Sequence, residues 1–211
     1  MSKPKKAAAC CGDAPMTKHQ CILAAAREIF LEAGYAAASM DAVAARANVS
    51  KATIYAHFEN KRALFEAIIS ARCEATFSDL GVPETYTDAR QALHELALHF
   101  LNLIVAPEAL AIHRVVLAEA PRLPEVGEAF YAAGPIRAHA RIGNLFSELT
   151  RRGLLAVPDS DVALVTDLFL GMLKNDIHTR ALLNLPPSER SVEDVTDAAV
   201  DMLMARYGVK A

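Results

Sequence analysis

A chain of 211 residues, 53% hydrophobic and 6% aromatic, is long enough for one large domain or two small ones. None of its apolar runs approaches the roughly 18 residues that suggest a membrane span. The formal net charge is −3, yet residues 1–72 hold ten Lys and Arg against six acids (+4) and the remainder twelve against nineteen (−7), so a polyanionic partner is expected to meet only the first third.

Residues 1–16 read as a disordered arm in which Lys3, Lys5 and Lys6 cluster between the start and Pro15. The arm lacks the long apolar stretch of a signal peptide, and a cytoplasmic location is expected. The lysines suit a solubilising tail or an arm that touches DNA. Its vicinal Cys10 and Cys11, with Cys21 a little further on, fit no paired zinc spacing. They leave open a soft-metal or oxidant sensor beside the plainer reading of incidental cysteines.

Alanine-rich sequence with no alternating strand pattern predicts an all-α chain. A first helix is expected from Thr17 as N-cap to Gly34 at its C-terminus, with Ile22, Ala26, Ile29, Phe30 and Ala33 at helical spacing. Ser39 caps a second helix, with Asp41 at the positive end of its dipole, that stops at Asn48. Asn tolerates the left-handed conformation of a tight turn, Val49 fills the elbow, and Ser50 caps a third helix from Lys51 to about His57. Asn60 caps a fourth, with Leu64, Phe65, Ile68 and Cys73 inward, that reaches about Leu80. Further helices are expected near 87–105, 107–119, 123–152, 159–183 and 191–207, with a kink at Gly134–Pro135.

Helix, short turn and capped second helix make a helix-turn-helix pattern. Ala44 and Ala47 permit close crossing, while Ile54 and Phe58 point inward. Ser39, Ser50, Lys51, Ala52, Thr53, Tyr55, His57 and Lys61 are then the residues offered to DNA. Lys51 and Thr53 can read base edges; Tyr55, His57 and Lys61 suit phosphate. The plainer alternative is a helical hairpin with a solvated polar face.

The run "MDAVAARANVSKATIYAHFENKRALF" resembles the signature of the tetracycline-repressor (TetR) family through Val43, Ala44, Ala47, Val49, Ser50, Ile54, Tyr55, His57, Phe58, Lys61 and Leu64. Asn48 and Ala52 stand where that family often has glycine. The rear segments "LAEAPRLPEVGEAFYAAGP" and "LFLGMLKNDIHTRALL" resemble the regulatory domain of an AefR-like branch. This resemblance implies a homodimeric repressor on a palindromic operator, released by a small-molecule inducer, with a helix-turn-helix domain over 17–60 and a helical ligand-binding and dimerisation bundle over 61–211. The helices near 159–183 and 191–207 would form the dimer interface, the former because it is apolar on more than one stripe.

Candidate pocket residues are Phe100, Leu103, His113, Arg114, Phe130, Tyr131, Leu145 and Met172, each also a candidate for core or surface. The rear histidines are expected to cap, pair or sit at the surface, and Asp176 with Arg180 to form an i,i+4 ion pair. No Gly-rich phosphate loop, HExxH or GxSxG occurs, so neither an enzyme nor a cofactor is expected.

Overall fold

Thr17 starts the first helix by a reciprocal exchange. Its hydroxyl accepts from the Gln20 N–H (3.2 Å), and the Gln20 side chain accepts from the Thr17 N–H (2.8 Å). The computed structural model describes residues 16–78 and 86–209, and these are helical, with a single β-bridge between Leu155 and Gly208. Helix α1 (Lys18–Ala37) is broken at Gly34, whose φ of 79° and ψ of 172° lie where glycine alone settles readily. The regular run thus ends where expected, although a further turn follows. Then come α2 (Met40–Ala47), α3 (Lys51–His57) and α4 (Lys61–Ser78). Ser39 caps α2, Ser50 caps α3, and Asn60 accepts from the Ala63 N–H at 2.9 Å to start α4.

The remaining helices are α5 (Ala89–Val105), α6 (Pro107–Glu119), α7 (Pro124–Ala133), α8 (Pro135–Arg151), α9 (Val162–Leu173), α10 (Asp176–Leu182) and α11 (Val192–Tyr207). Two differ from the sequence expectation. The long helix near 123–152 is two helices, because Pro135 has no N–H to continue the ladder and Gly134 leaves the helical region (φ −114°, ψ −83°). The stretch 159–183 is a short 3₁₀ turn, α9 and α10. Lys174 and Asn175 leave the helix, and the Asn175 side chain accepts from the Ile177 N–H at 3.0 Å to begin a new one.

The chain packs into two compact units. One holds residues up to Ser70 together with Val115–Phe130, the other Ala71–Arg114 with Tyr131–Ala211. In the first, Ile22, Ala26, Phe30, Ile54, Leu64 and Phe65 are fully buried. Phe30, Tyr35 and Phe65 form an aromatic trio with centroids 5.1–5.6 Å apart. Arg46 of α2 is tied to Glu28 (2.8 Å) and Glu32 (2.7 Å) of α1. In the second unit α11 packs on α5 and α9, α8 on α9, and α10 on α5. Leu93, Leu101, Ile142, Phe146, Phe169 and Leu173 are sealed there. No single helix among the described residues is long and apolar enough to cross a membrane.

Candidate nucleic-acid interface

The turn between α2 and α3 rests on Asn48, which holds φ 55° and ψ 45° while its N–H reaches back to the carbonyls of α2. The Val49 N–H donates to Ala44 O (3.1 Å), which closes the elbow and leaves the Val49 side chain half-buried. Ser50 Oγ then accepts from the Thr53 N–H (3.1 Å) and lies 2.8 Å from the Thr53 hydroxyl. These local bonds fix where α3 begins. Two core anchors fix its roll: Ile54 is fully buried and Phe58 nearly so. Lys51, Ala52, Tyr55, Ala56 and His57 are left exposed, and Thr53 is half-exposed.

Of the residues expected at DNA, Ser39 and Ser50 are engaged as helix caps, Ser39 accepting from the Ala42 N–H at 3.1 Å. Lys51 pairs with Asp41 across α2 and α3 (2.7 Å), which raises its pKa further; both side chains are largely exposed. Exposed pairs of this kind contribute little, so the ammonium is available to a phosphate. Tyr55 projects its ring into solvent at 46% exposure.

Lys61 departs from the expected phosphate role. Its Nζ donates to Tyr35 O (2.8 Å), Ala36 O (3.1 Å) and Ala38 O (3.1 Å), and stands 4.5 Å from the Tyr35 ring centroid. An ammonium has three protons to donate, and all three are spent on the turn between α1 and α2. Its physical role is that of a cap on the loose carbonyls that follow Gly34.

Two residues beyond the sequence motif belong to the same unit. Glu119, at the end of α6, accepts from the N–H groups of Tyr35 (2.6 Å) and Ala36 (2.7 Å). The segment after Gly34 is therefore gripped twice, its amides by Glu119 and its carbonyls by Lys61. A side chain at Gly34 would also collide with the Glu119 carboxylate. His19 of α1 is exposed, with its ring 5.9 Å from that of His57 and 5.1 Å from Phe58, so α1 adds an imidazole to the outward edge of α3. Neither partnership carries a sequence signal, because no helical or turn spacing links residues so far apart in the chain.

The candidate pocket residues are distributed unevenly. Phe100, Leu103 and Leu145 are buried, Met172 and His113 half-buried. Phe130 is half-buried in the first unit, while Tyr131 is 61% exposed. Arg114 is corrected: its guanidinium donates to Ala181 O (2.6 Å) and Leu182 O (2.8 Å), the last carbonyls of α10. His94 pairs with Asp197 (3.1 Å), His139 with Asp167 (3.2 Å), and Asp176 with Arg180 (2.7 Å). His178, expected to cap, pair or face solvent, is instead buried against His113. Cys10 and Cys11 lie outside the described residues, as do Lys3, Lys5 and Lys6; Cys21 is half-buried on α1.

Comparison with known proteins finds two family matches along the chain. The profile of bacterial regulatory proteins of the tetR family matches residues 22–68, and that of the AefR-like transcriptional repressor C-terminal domain matches residues 91–209. The chain is similar to the HTH-type transcriptional activator FasR of Mycolicibacterium smegmatis, 40% identical over 86 residues. That match spans 39% of this chain but only 38% of FasR. Among solved structures, a tetR-family transcriptional regulator from Mesorhizobium loti MAFF303099 superposes with a TM-score of 0.75 at 30% identity, covering 91% of this chain and 97% of the other. The flavonoid-responsive regulator FrrA superposes with a TM-score of 0.73, also at 30% identity, over 92% of this chain and 98% of its own.

Proposed function

This chain belongs to the tetR family of bacterial transcriptional regulators, and from that premise we propose that it is a homodimeric repressor whose α3 reads a palindromic operator and which a small-molecule inducer releases. One observation carries the DNA-reading part. Buried Ile54 and Phe58 hold α3 so that Lys51, Ala52, Thr53 and Tyr55 form a continuous outward edge. In a helix-turn-helix protein it is this second helix that enters the major groove.

The need for two copies is physical. A single recognition module buries only about 600–1,000 Å², too little for tight specific binding at physiological salt. The second unit supports pairing with another copy of the chain. Helix α9 turns Val165, Phe169 and Leu173 inward yet leaves Leu164 and Leu168 each 60% exposed. Helix α11 likewise buries Val195, Ala199 and Leu203 but exposes Met202 at 65%. A helix apolar on two faces has a second face to cover. The likeness to the flavonoid-responsive FrrA supports an inducer of flavonoid type. Release follows if the inducer binds better to a dimer whose recognition helices are set apart from successive grooves, since a ligand shifts an equilibrium only through its differential affinity.

Selection of binding sites from random duplex DNA by the purified chain tests the reading. The enriched sequences should be palindromes with half-sites about 10 base pairs, one helical turn, apart. On the selected duplex, Lys51→Ala and Tyr55→Ala should each weaken binding, and each lost phosphate contact should flatten the salt dependence by about one unit of slope. Failure to enrich any sequence, or wild-type affinity in both variants, would remove α3 from the interface.

A further inference from the structure

His178 sits on α10 at 7% exposure and makes no hydrogen bond among the described residues. Its nitrogens are nonetheless not sealed in: the one described buried side-chain polar atom that is both closed off and without a partner is Thr196 Oγ1. The imidazole of His113, on α6, lies beside it with ring centroids 5.5 Å apart and planes tilted by 31°. Neither ring position depends on a bond made by His178 itself. Arg114, the next residue along α6, grips the terminal carbonyls of α10 and so holds the two helices together. The result is a buried imidazole placed by its framework, with hydrogen-bonding capacity unused. Buried polar groups in folded proteins are rarely left so, and an unused one invites a ligand.

We infer that His178, flanked by His113, recognises a phenolic or similarly acidic hydroxyl group on the inducer. The inference deepens the regulator reading above and rests on it.

The chemistry of the cluster selects the ligand group. Burial, then His113 and then the charge of Lys174, push His178 down to about 4; burial and Lys174 lower His113 as well. Both rings are therefore neutral near pH 7, and a neutral imidazole offers one donor and one acceptor. A hydroxyl, itself donor and acceptor, matches that pair of functions. A carboxylate accepts only and would want a cation in contact; the guanidinium beside His113 in the chain, Arg114, is already given to two carbonyls. The exposed Lys174 supplies a positive potential without a buried charge, which favours an oxygen that carries partial negative character. Phenols and enols have such an oxygen, whereas an aliphatic chain or an amine does not.

The test compares a trihydroxyflavanone with unsubstituted flavanone by titration calorimetry on the full chain. The hydroxylated probe should bind the wild-type chain about tenfold more tightly than its parent, the size of one good hydrogen bond. In His178→Phe that advantage should vanish while flavanone still binds, which also shows that the variant is folded. If His178→Phe binds neither probe, the same comparison is made in His113→Phe, where the advantage should shrink. Failure of the hydroxylated probe to bind the wild-type chain overturns the inference, and so does an advantage that survives the substitution. DNA binding is followed on the same protein preparation. A chain that holds its selected duplex but ignores hydroxyl groups defeats this inference alone, whereas one that binds no duplex defeats the regulator reading.

Discussion

The two units of the molecule solve different problems with their polar side chains. The first turns most of its polar groups outward or into caps on nearby backbone: Thr17, Ser39, Ser50 and Asn60 each open a helix, and Lys51 and Tyr55 face solvent. The second buries polar groups among apolar ones, where His178 and Thr196 find no hydrogen bond among the described residues. A surface that must meet a polyanion needs groups ready in water, held by a rigid frame. An interior that must meet a small molecule needs polar capacity that its own framework leaves unspent. The contrast therefore predicts that substitutions in the first unit act through backbone geometry and surface charge, and in the second through desolvation.

The largest effect should come from the frame of the first unit. Gly34→Ala forces a Cβ onto a backbone at φ 79° and ψ 172° and drives it against the Glu119 carboxylate that binds the next two amides. Strain at such a position and the disturbed charge-assisted bonds together amount to roughly 4 kcal/mol. Urea unfolding followed by circular dichroism should show that loss, and operator affinity should fall with it because α2 is set by this turn. A variant as stable as wild type would mean that the turn is soft and the comparison wrong at its first term.

Next in size is a pH effect that belongs to the second unit. His178 is held at about 4 against an ordinary value of 6.5. Below pH 6.5 the unfolded chain takes up a proton that the folded chain refuses, so stability is lost as pH falls from 6.5 towards 4. The loss from this one group is roughly 3 kcal/mol when complete, and His113 acts in the same direction. Thermal unfolding at a series of pH values should give a shallower acid limb in His178→Phe than in the wild-type chain. Identical limbs would place His178 in water.

Lys61 sharpens the comparison from the other side, since it is a basic residue of the first unit that faces inward. Lys61→Met should cost about 2 kcal/mol of stability through three lost carbonyl contacts and the lost ring contact. The salt slope of DNA binding should stay unchanged, in contrast to Lys51→Ala. A flattened slope in Lys61→Met would restore the phosphate role that its place in the sequence motif suggests.

How much of this was legible follows from the range of the forces involved. The caps, the left-handed Asn48 and the inward pair Ile54 and Phe58 are decided within three or four residues, so periodicity and turn chemistry place α1 to α3 almost residue by residue. The break at Gly134–Pro135 is local too. The break between α9 and α10 is not marked by proline or glycine: apolar residues continue on both sides, and the Asn175 cap is visible only once the chain has turned. Lys61 sits in a motif that reads as phosphate-binding, but its reach to the turn after Gly34 is tertiary. Glu119 meets Tyr35 across 84 residues, and His178 is buried where α10 packs on α5 and meets His113 of α6. The outward edge was thus readable in one dimension and the grips behind it were not.

The smallest effect tests the second unit with least disturbance. Thr196 is fully buried on α11 with its hydroxyl unbonded, whereas Thr166, also fully buried, donates its hydroxyl to Val162 O at 2.8 Å. Valine has nearly the shape of threonine without the oxygen. At residue 196 the exchange removes a desolvated group that gives nothing back, and Thr196→Val should raise stability by about 1 kcal/mol. At residue 166 the same exchange also removes a hydroxyl from the interior, but there a bond is lost and the Val162 carbonyl keeps its helical partner, so the change should be close to zero. The difference between the two midpoints in urea isolates the orphan hydroxyl from the general effect of adding a methyl group. A drop in stability for Thr196→Val would show that this interior satisfies its polar groups after all, and with it the argument that His178 is held in reserve for a ligand would lose its nearest parallel.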